Sequence, residues 1–209
     1  MDRFLVYSLF GYLSGSVLYA YVWGRILGRG DVTQKSKDQN PGTANAFVNG
    51  GFLCGVLTLF CDLGKGFLPV FLFLQPAHEL MMDWRFAIVL AAPVIGHVFS
   101  LYHHFHGGKG IAVTFGCLLG MYPYMNAAYL MAICFLFFSL IVKISPDFYR
   151  TLAAYAAAWI GMIFFLPPGH GPVAVGFCLI AASVFYRMHH SLEKREKLTV
   201  KIAKIKRSQ

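Results

Sequence analysis

Residues 47–74 read FVNGGFLCGVLTLFCDLGKGFLPVFLFL, and within this stretch only Asp62 and Lys65 carry a charge. A helix needs about 20 consecutive apolar residues to cross the hydrocarbon core of a bilayer. Apolar runs of similar length occupy residues 4–23 and 85–102. The whole chain has 209 residues, of which 57% are hydrophobic and 13% charged, whereas soluble domains carry about 25% charged residues. These features exclude a disordered chain, argue against a water-soluble one, and predict a single integral membrane domain over residues 1–209.

The remaining apolar segments predict further helices. The run 112–142 is too long for one crossing and is interrupted at Tyr122-Pro123, where the proline predicts a break between a short and a long helix. Two shorter runs, 151–166 and 173–187, flank a segment rich in proline and glycine. The sequence therefore predicts an all-α membrane protein with about seven transmembrane helices.

The basic residues predict how these helices are oriented. Of the 18 Lys and Arg residues, 15 lie in the loops 24–46, 103–111 and 143–150 or in the chain from residue 187 onward. Loops rich in Lys and Arg stay in the cytoplasm, so we expect the amino terminus outside and the carboxyl terminus inside the cell. Residues 188–209 then form a basic cytoplasmic tail that attracts anionic lipid head groups. The net charge of +9 is explained by this topology, and no nucleic-acid partner is expected.

Polar residues gather in a first cytoplasmic loop, Lys37–Asn45, which directly precedes an apolar helix. Asn and Gly favour turns, and the free N–H groups at the start of a helix favour anions. The loop is therefore a candidate anion site, although an ordinary capped loop is an open alternative. Asp62 and Lys65, three residues apart in that helix, share one face. Charges inside a span are usually paired and functional, so the two either line a polar pocket or neutralise each other structurally.

A second loop joins the third apolar run to the next helix. It contains Gly107-Gly108-Lys109-Gly110, in which glycines let the backbone approach a phosphate and Lys109 adds a positive charge. The longer spacing of a Walker motif and its Ser or Thr after the Lys are absent. At a membrane interface, this loop suggests binding of a phosphate carried by an amphiphile or its precursor. His97 precedes the loop and is a candidate for hydrogen bonding or proton transfer.

A metal site is not expected. The four histidines at 97, 103, 104 and 106 have no carboxylate nearby in the sequence, and density alone does not give the convergent geometry of metal ligands. The five cysteines contain no Cys-x-x-Cys pair, which argues against a zinc site or a disulfide framework.

The two loops resemble those of the bacterial acyl-phosphate–glycerol-3-phosphate acyltransferase family (PlsY type), and the similarity runs from Gly15-Ser16 to about Arg187. Three blocks carry it: Gly96-His97-x-Phe99-Ser100 through Phe105-x-Gly107-Gly108-Lys109-Gly110-Ile111-Ala112, Asn40-x-Gly42-x-x-Asn45, and Asp62-Leu63-Gly64-Lys65-Gly66. The resemblance implies a seven-helix bundle in the bacterial inner membrane, with the conserved motifs of the family facing the cytoplasm.

The resemblance also implies a reaction. A fatty acyl group moves from acyl phosphate to the hydroxyl of glycerol 3-phosphate and gives lysophosphatidic acid for phospholipid synthesis, among membrane lipids and without cofactor or obligate protein partner. Acyl phosphate carries its own leaving group, so positioning, cations and oxyanion stabilisation are sufficient. We expect three groups of site residues: catalytic His97 and Lys109; donor-phosphate ligands Gly107, Gly108, Lys109 and Gly110; acceptor ligands Ser36, Asn40, Gly42, Asn45, Asp62 and Lys65.

Three departures from the family pattern leave alternatives open. Asp38 precedes the first motif and would repel a phosphate, Val48 stands where the family has Arg, and the third motif is reduced to the residues around Arg187. A diverged transferase with another acceptor is one alternative. A non-catalytic membrane protein that binds a phosphorylated lipid is the other.

Overall fold

A computed structural model describes residues 2–34, 36, 38–75, 77–191 and 197–202. Within these ranges, nine α-helices follow one another: α1 (Arg3–Gly15), α2 (Tyr19–Ile26), α3 (Thr43–Gly50), α4 (Phe52–Leu74), α5 (Phe86–Val98), α6 (Ile111–Leu119), α7 (Asn126–Leu136), α8 (Asp147–Phe165) and α9 (Gly171–His189). Short 3-10 turns lie at His78–Met82 and Leu101–His103, and a π-helical turn, Phe137–Ile141, extends α7.

The helices include several that can cross a membrane. Among the described residues, four helical segments are long and apolar enough to cross a membrane: α4, α8, α9, and α5 with its following turn to His103. The bent pair α1–α2, counted as one span, brings that number to five. The protein is therefore a mostly helical, multi-pass membrane protein.

Two of the predicted apolar runs are broken rather than continuous. Run 4–23 bends by 43° between α1 and α2, where Leu18 is extended. Run 47–74 is divided at Gly51, which lies between the end of α3 and the start of α4. Its φ of +88° is a conformation that residues with a side chain rarely adopt, so a glycine suits this position. Hydrophobic content alone does not reveal either break. The first break lies beside Val17, whose carbonyl contacts Lys65 of the site described below.

Helix α4 occupies a central position, packed against α1, α2, α3 and α6, while α5 packs against α1 and α9. The α4–α6 contact is close because a Cβ at Gly116 would clash with the carbonyl oxygen of Leu63. Small residues at such crossings let membrane helices approach through their backbones. Helix α8 is tied to α6 by Tyr155, whose buried hydroxyl donates to Thr114 Oγ1 at 2.9 Å.

A two-stranded antiparallel sheet differs from the all-α prediction. Strand β1 (Val142–Ser145) pairs with β2 (Thr199–Ile202), whereas the sequence predicts a loop at 143–150 and a tail over 188–209. Each strand has four residues and alternates apolar with polar side chains. So short a pattern does not predict a strand by itself, because an isolated two-stranded pair is marginally stable in water. Here β1 packs against α8 and the π-helical turn. Strand β1 leads directly into α8.

Candidate active site

A cavity of about 710 Å³ opens between the loop before α3, the start of α6 and the first turns of α8. Its walls combine charged and polar groups with apolar side chains that include Leu59, Val113, Phe115 and Phe135. A space of this size and mixed character suits a ligand with a charged head and an apolar chain.

Most of the residues singled out from the sequence meet at this cavity. Those that line it are Ser36, Asn40, Gly42, Asn45, Asp62, His97, Lys109 and Gly110. Gly107, Gly108 and Lys65 are not among its lining residues. Gly107 and Gly108 instead pack against His97, whose carbonyl accepts from Gly108 N at 3.1 Å. Lys65, 4% exposed, lies behind Asp62.

The two loops are joined through Asn40. Its side-chain oxygen Oδ1 accepts a hydrogen bond from the backbone N–H of Lys109 at 2.9 Å. Asn45 donates from Nδ2 to the backbone oxygen of Asn40 at 2.8 Å. The first loop is therefore fixed against the start of α6 by side-chain amides. This arrangement gives both Asn residues a structural role beside the cavity.

Asp38 is the counterion of Lys109, with Oδ2 2.7 Å from Nζ and both side chains largely buried. It also accepts from Asn45 Nδ2 at 2.9 Å and from Asn40 N at 3.2 Å. Burial raises the pKa of Asp38, but the hydrogen bonds from Lys109 and Asn45 and the charge of Lys109 outweigh it, so the pKa lies below its ordinary value. An ionised carboxylate thus contacts the ammonium that the sequence assigns to a phosphate.

Lys65 is the centre of a buried polar cluster beneath the cavity. Its Nζ lies 2.8 Å from Asp62 Oδ1, 2.8 Å from His97 Nδ1 and 2.6 Å from the carbonyl of Val17. That carbonyl is available because Val17 lies at the break between α1 and α2. An ammonium only donates hydrogen bonds, so Nδ1 of His97 accepts and a neutral imidazole carries its proton on Nε2.

Gly108 leaves room for the other ring nitrogen of His97. A Cβ at Gly108 would clash with Nε2 and lie 3.2 Å from Asn40 Oδ1. The absence of a side chain at 108 is therefore required by His97. The Gly-rich sequence is consistent with packing against this imidazole as well as with approach to a phosphate.

Helices α8 and α9 add residues that the sequence analysis does not assign to the site. Asp147, Arg150 and Thr151 line the cavity from the first turns of α8, and Arg150 Nη2 pairs with Asp147 Oδ1 at 2.8 Å. Arg187 of α9 donates from Nε to the carbonyl of Gly107 at 2.7 Å. The available signal was the position of Arg150 and Arg187 at the ends of apolar runs. The sequence analysis interprets Arg150 through topology alone and Arg187 also as part of the reduced third motif.

The histidines of the second loop have separate environments. His97 faces the cavity, whereas the ring of His103 stacks on Tyr21 with centroids 5.2 Å apart, and His106 contacts the carbonyl of His104. In the part of the chain that the structure describes, no three His, Cys, Asp or Glu side chains are grouped as metal ligands are.

Known proteins share both the sequence and the fold. The family model described as glycerol-3-phosphate acyltransferase matches residues 5–196. A protein of that name from Burkholderia orbicola (strain MC0-3) is 32% identical over 192 residues, which cover 90% of this chain and 86% of the relative.

Two crystal structures of PlsY, described as an integral membrane glycerol 3-phosphate acyltransferase, resemble the fold. The glycerol 3-phosphate form has a TM-score of 0.75 at 24% identity, covering 90% of this chain and 89% of that one. The lysophosphatidic acid form has a TM-score of 0.70 at 25% identity, covering 89% and 88%. With its sequence matched over nearly its whole length and its fold shared, the chain belongs to the glycerol-3-phosphate acyltransferase family.

Proposed function

We propose that the protein transfers a fatty acyl group from acyl phosphate to glycerol 3-phosphate, giving lysophosphatidic acid and inorganic phosphate. One observation carries this proposal: the two polar loops meet, through Asn40 and Lys109, at a cavity that also has apolar walls. A phosphorylated head group and an acyl chain can both be accommodated there. The names of the relatives, and the glycerol 3-phosphate and lysophosphatidic acid forms of the PlsY structures, support glycerol 3-phosphate as the acceptor and lysophosphatidic acid as the product.

The reaction needs no nucleophile from the protein. The acceptor hydroxyl oxygen attacks the acyl carbon, a new C–O ester bond forms, and the bond from that carbon to the phosphate oxygen breaks. The hydroxyl proton passes to the departing phosphate. His97 donates a hydrogen bond from Nε2 to an oxygen of the acyl phosphate, since its Nδ1 is occupied by Lys65. Such a preorganised donor stabilises charge that develops in the transition state.

The roles of the site residues follow from their positions. Lys109 and Gly110, which line the cavity, hold the donor phosphate, and phosphate replaces Asp38 as the partner of the ammonium. Gly107 and Gly108 do not line the cavity and support the site by packing against His97. Ser36, Asn40, Gly42 and Asn45 hold the acceptor or the loop that binds it. Lys65 is buried and does not line the cavity, so it acts one step removed by fixing the orientation of His97. Asp62 lines the cavity and is the counterion of Lys65.

The proposal includes a topology. The bent pair α1–α2, together with α4, α5, α6, α7 with its π-helical extension, α8 and α9, gives seven membrane-inserted segments. The charge distribution, 15 of 18 basic residues in one set of loops, supports an outside amino terminus, a cytoplasmic carboxyl terminus and a cytoplasmic site in the bacterial inner membrane. The tail 188–209 then faces anionic lipids. No cofactor, nucleic acid or obligate protein partner is part of the proposal.

Purified protein in detergent tests the reaction directly. We expect palmitoyl phosphate to release inorganic phosphate only when glycerol 3-phosphate is present, with lysophosphatidic acid detected by mass spectrometry. Release that requires a different hydroxyl acceptor would support the diverged transferase instead. Tight binding of lysophosphatidic acid without turnover would support the non-catalytic lipid-binding protein.

A further inference from the structure

Among the described residues, Lys109 and Arg150 are the cations that line the cavity, and Arg150 uses its hydrogen-bonding capacity only in part. Lys109 is paired with Asp38 at 2.7 Å. Arg150 also has a carboxylate, Asp147, which lies 2.8 Å from its Nη2. The Nε atom of Arg150 is buried and has no hydrogen-bond partner among the described residues.

The chemistry of this arrangement favours an oxyanion ligand. Buried polar groups nearly always have hydrogen-bond partners, so an exception needs a reason. A guanidinium presents its donors as a planar fork that matches the oxygens of a phosphate. Asp147 is 63% exposed, and an exposed counterion of this kind is weakly held. Arg150 lines the cavity, so a phosphate there can bind its guanidinium and displace or share the contact between Nη2 and Asp147.

Arg150 is also held in a fixed relation to the Gly-rich loop. Tyr155, in the same helix and fully buried, donates to Thr114 Oγ1, and Thr114 Oγ1 donates to the carbonyl of Gly110 at 3.0 Å. The Tyr155 ring stacks on Phe177, with centroids 5.4 Å apart. The start of α8 and the residue after Lys109 are thus linked by two hydrogen bonds, which places both cations on a rigid frame.

We propose that Arg150 is a substrate-binding residue that holds a phosphate group in the cavity through the N–H groups of its guanidinium. This inference rests on the proposed function and adds a residue that the motif loops do not supply. The phosphate belongs either to glycerol 3-phosphate or to acyl phosphate. The two substrates present the same chemistry to a guanidinium, and steady-state kinetics distinguishes them.

Initial rates of Arg150→Gln, with each substrate varied in turn at saturating concentration of the other, test the proposal. Removal of a charge-assisted contact predicts a fall in kcat/KM of about 10- to 100-fold, seen mainly as a higher KM for the substrate whose phosphate Arg150 holds. Arg150→Lys keeps the charge without the fork and should recover part of the loss. Lys143→Ala, at an exposed position on β1, is the control and should retain the parent KM values.

A relocation variant adds a second test. Val48 lines the same cavity from α3 and is 80% exposed, so Val48→Arg in the Arg150→Gln protein should lower the raised KM. If Arg150→Gln does not give the monodisperse elution and thermal transition of the parent, Arg150→Lys is used for the comparison. The proposal is overturned if the folded Arg150 variants keep both KM values within about twofold of an active parent.

Failure of the proposed function is recognised separately. In that case the parent itself does not turn over palmitoyl phosphate and glycerol 3-phosphate. Phosphorus NMR titration of the parent and Arg150→Gln with glycerol 3-phosphate and with inorganic phosphate then reports on Arg150 alone. Weaker binding by the variant supports the inference, and equal binding refutes it.

Discussion

The backbone N–H of Lys109 donates to Asn40 Oδ1 at 2.9 Å across 69 residues of sequence. This bond holds the loop before α3 against the start of α6, and the cavity lies beside it. The site therefore depends on a contact between two segments that carry separate motifs.

Asn40→Ala should weaken both folding and turnover. Loss of one hydrogen bond with a buried partner costs about 1–3 kcal/mol, and we expect kcat/KM to fall by about tenfold or more because the loop loses its position. Thermal unfolding in detergent and the phosphate-release assay measure the two effects. Gln34→Ala, an exposed position in the same loop, is the matched control, and an equal effect of the two substitutions would contradict the role of Asn40.

Lys109→Ala should remove a charge-assisted contact to the donor phosphate. The expected loss of transition-state stabilisation is roughly 1.5–3 kcal/mol, which corresponds to a fall of about 10- to 100-fold in the turnover of acyl phosphate. Lys109→Arg should restore it only in part, because a planar fork differs from a compact ammonium. Lys201→Ala, exposed on β2, should have the parent rate. A folded Lys109→Ala protein at the parent rate would remove the donor-site role of this residue.

The Asp38–Lys109 pair should make stability depend on pH in the acidic range. The pKa of Asp38 in the folded protein lies below its ordinary value of 3.8, so the unfolded chain binds the proton first. The stabilisation is complete above the ordinary value and is lost as pH falls through the lower folded pKa. Melting curves are measured between about pH 2.5 and 6, a range that spans the titration of a carboxyl group. The parent should show this loss of stability, and Asp38→Asn should show a smaller loss. Identical profiles would show that the pair contributes nothing.

Gly108→Ala should displace His97, because the added Cβ would clash with its Nε2. We expect a destabilised protein with at least about tenfold lower kcat/KM, given the loss of a preorganised donor. Replacing His97 by Ala in the same chain removes the clash, so His97→Ala should destabilise less in the Gly108→Ala background than alone, a coupling that a double-mutant cycle detects.

Gly64→Ala is the control for this cycle, since a Cβ there has no neighbour within 4 Å. If Gly108→Ala behaves like Gly64→Ala, the steric relationship with His97 is wrong.

Labelling of single cysteines tests the topology. In a background without the native cysteines, an impermeant reagent outside intact cells should label Cys at Glu79 or Pro168 and leave Cys at Gln34 or His106 unlabelled until the cells are opened. All four positions are exposed, so labelling should report the side of the membrane. Labelling of positions 34 and 106 in intact cells would reverse the orientation and place the cavity outside.

Local sequence was sufficient for the membrane character and for the residues of the two loops. Apolar length and the placement of Lys and Arg are properties of contiguous segments, so the runs 47–74 and 85–102 could be interpreted without knowledge of packing. The Gly-rich loop and the Asn residues of the first loop were recognised in the same way. The spacing of Asp62 and Lys65 likewise placed them on one helical face.

Packing between distant segments decided the rest. The break after α1 released the Val17 carbonyl to Lys65, and the approach of α4 to α5 set Lys65 against His97. Neither contact has a local signal, since each joins residues more than 30 positions apart. Arg150 faces the cavity because Tyr155 ties α8 to α6, and β1 pairs with β2, a segment distant in the sequence. Sequence determined which segments are apolar and which polar groups they carry. Tertiary structure decided which of those groups meet, because the distance between them depends on how the helices pack.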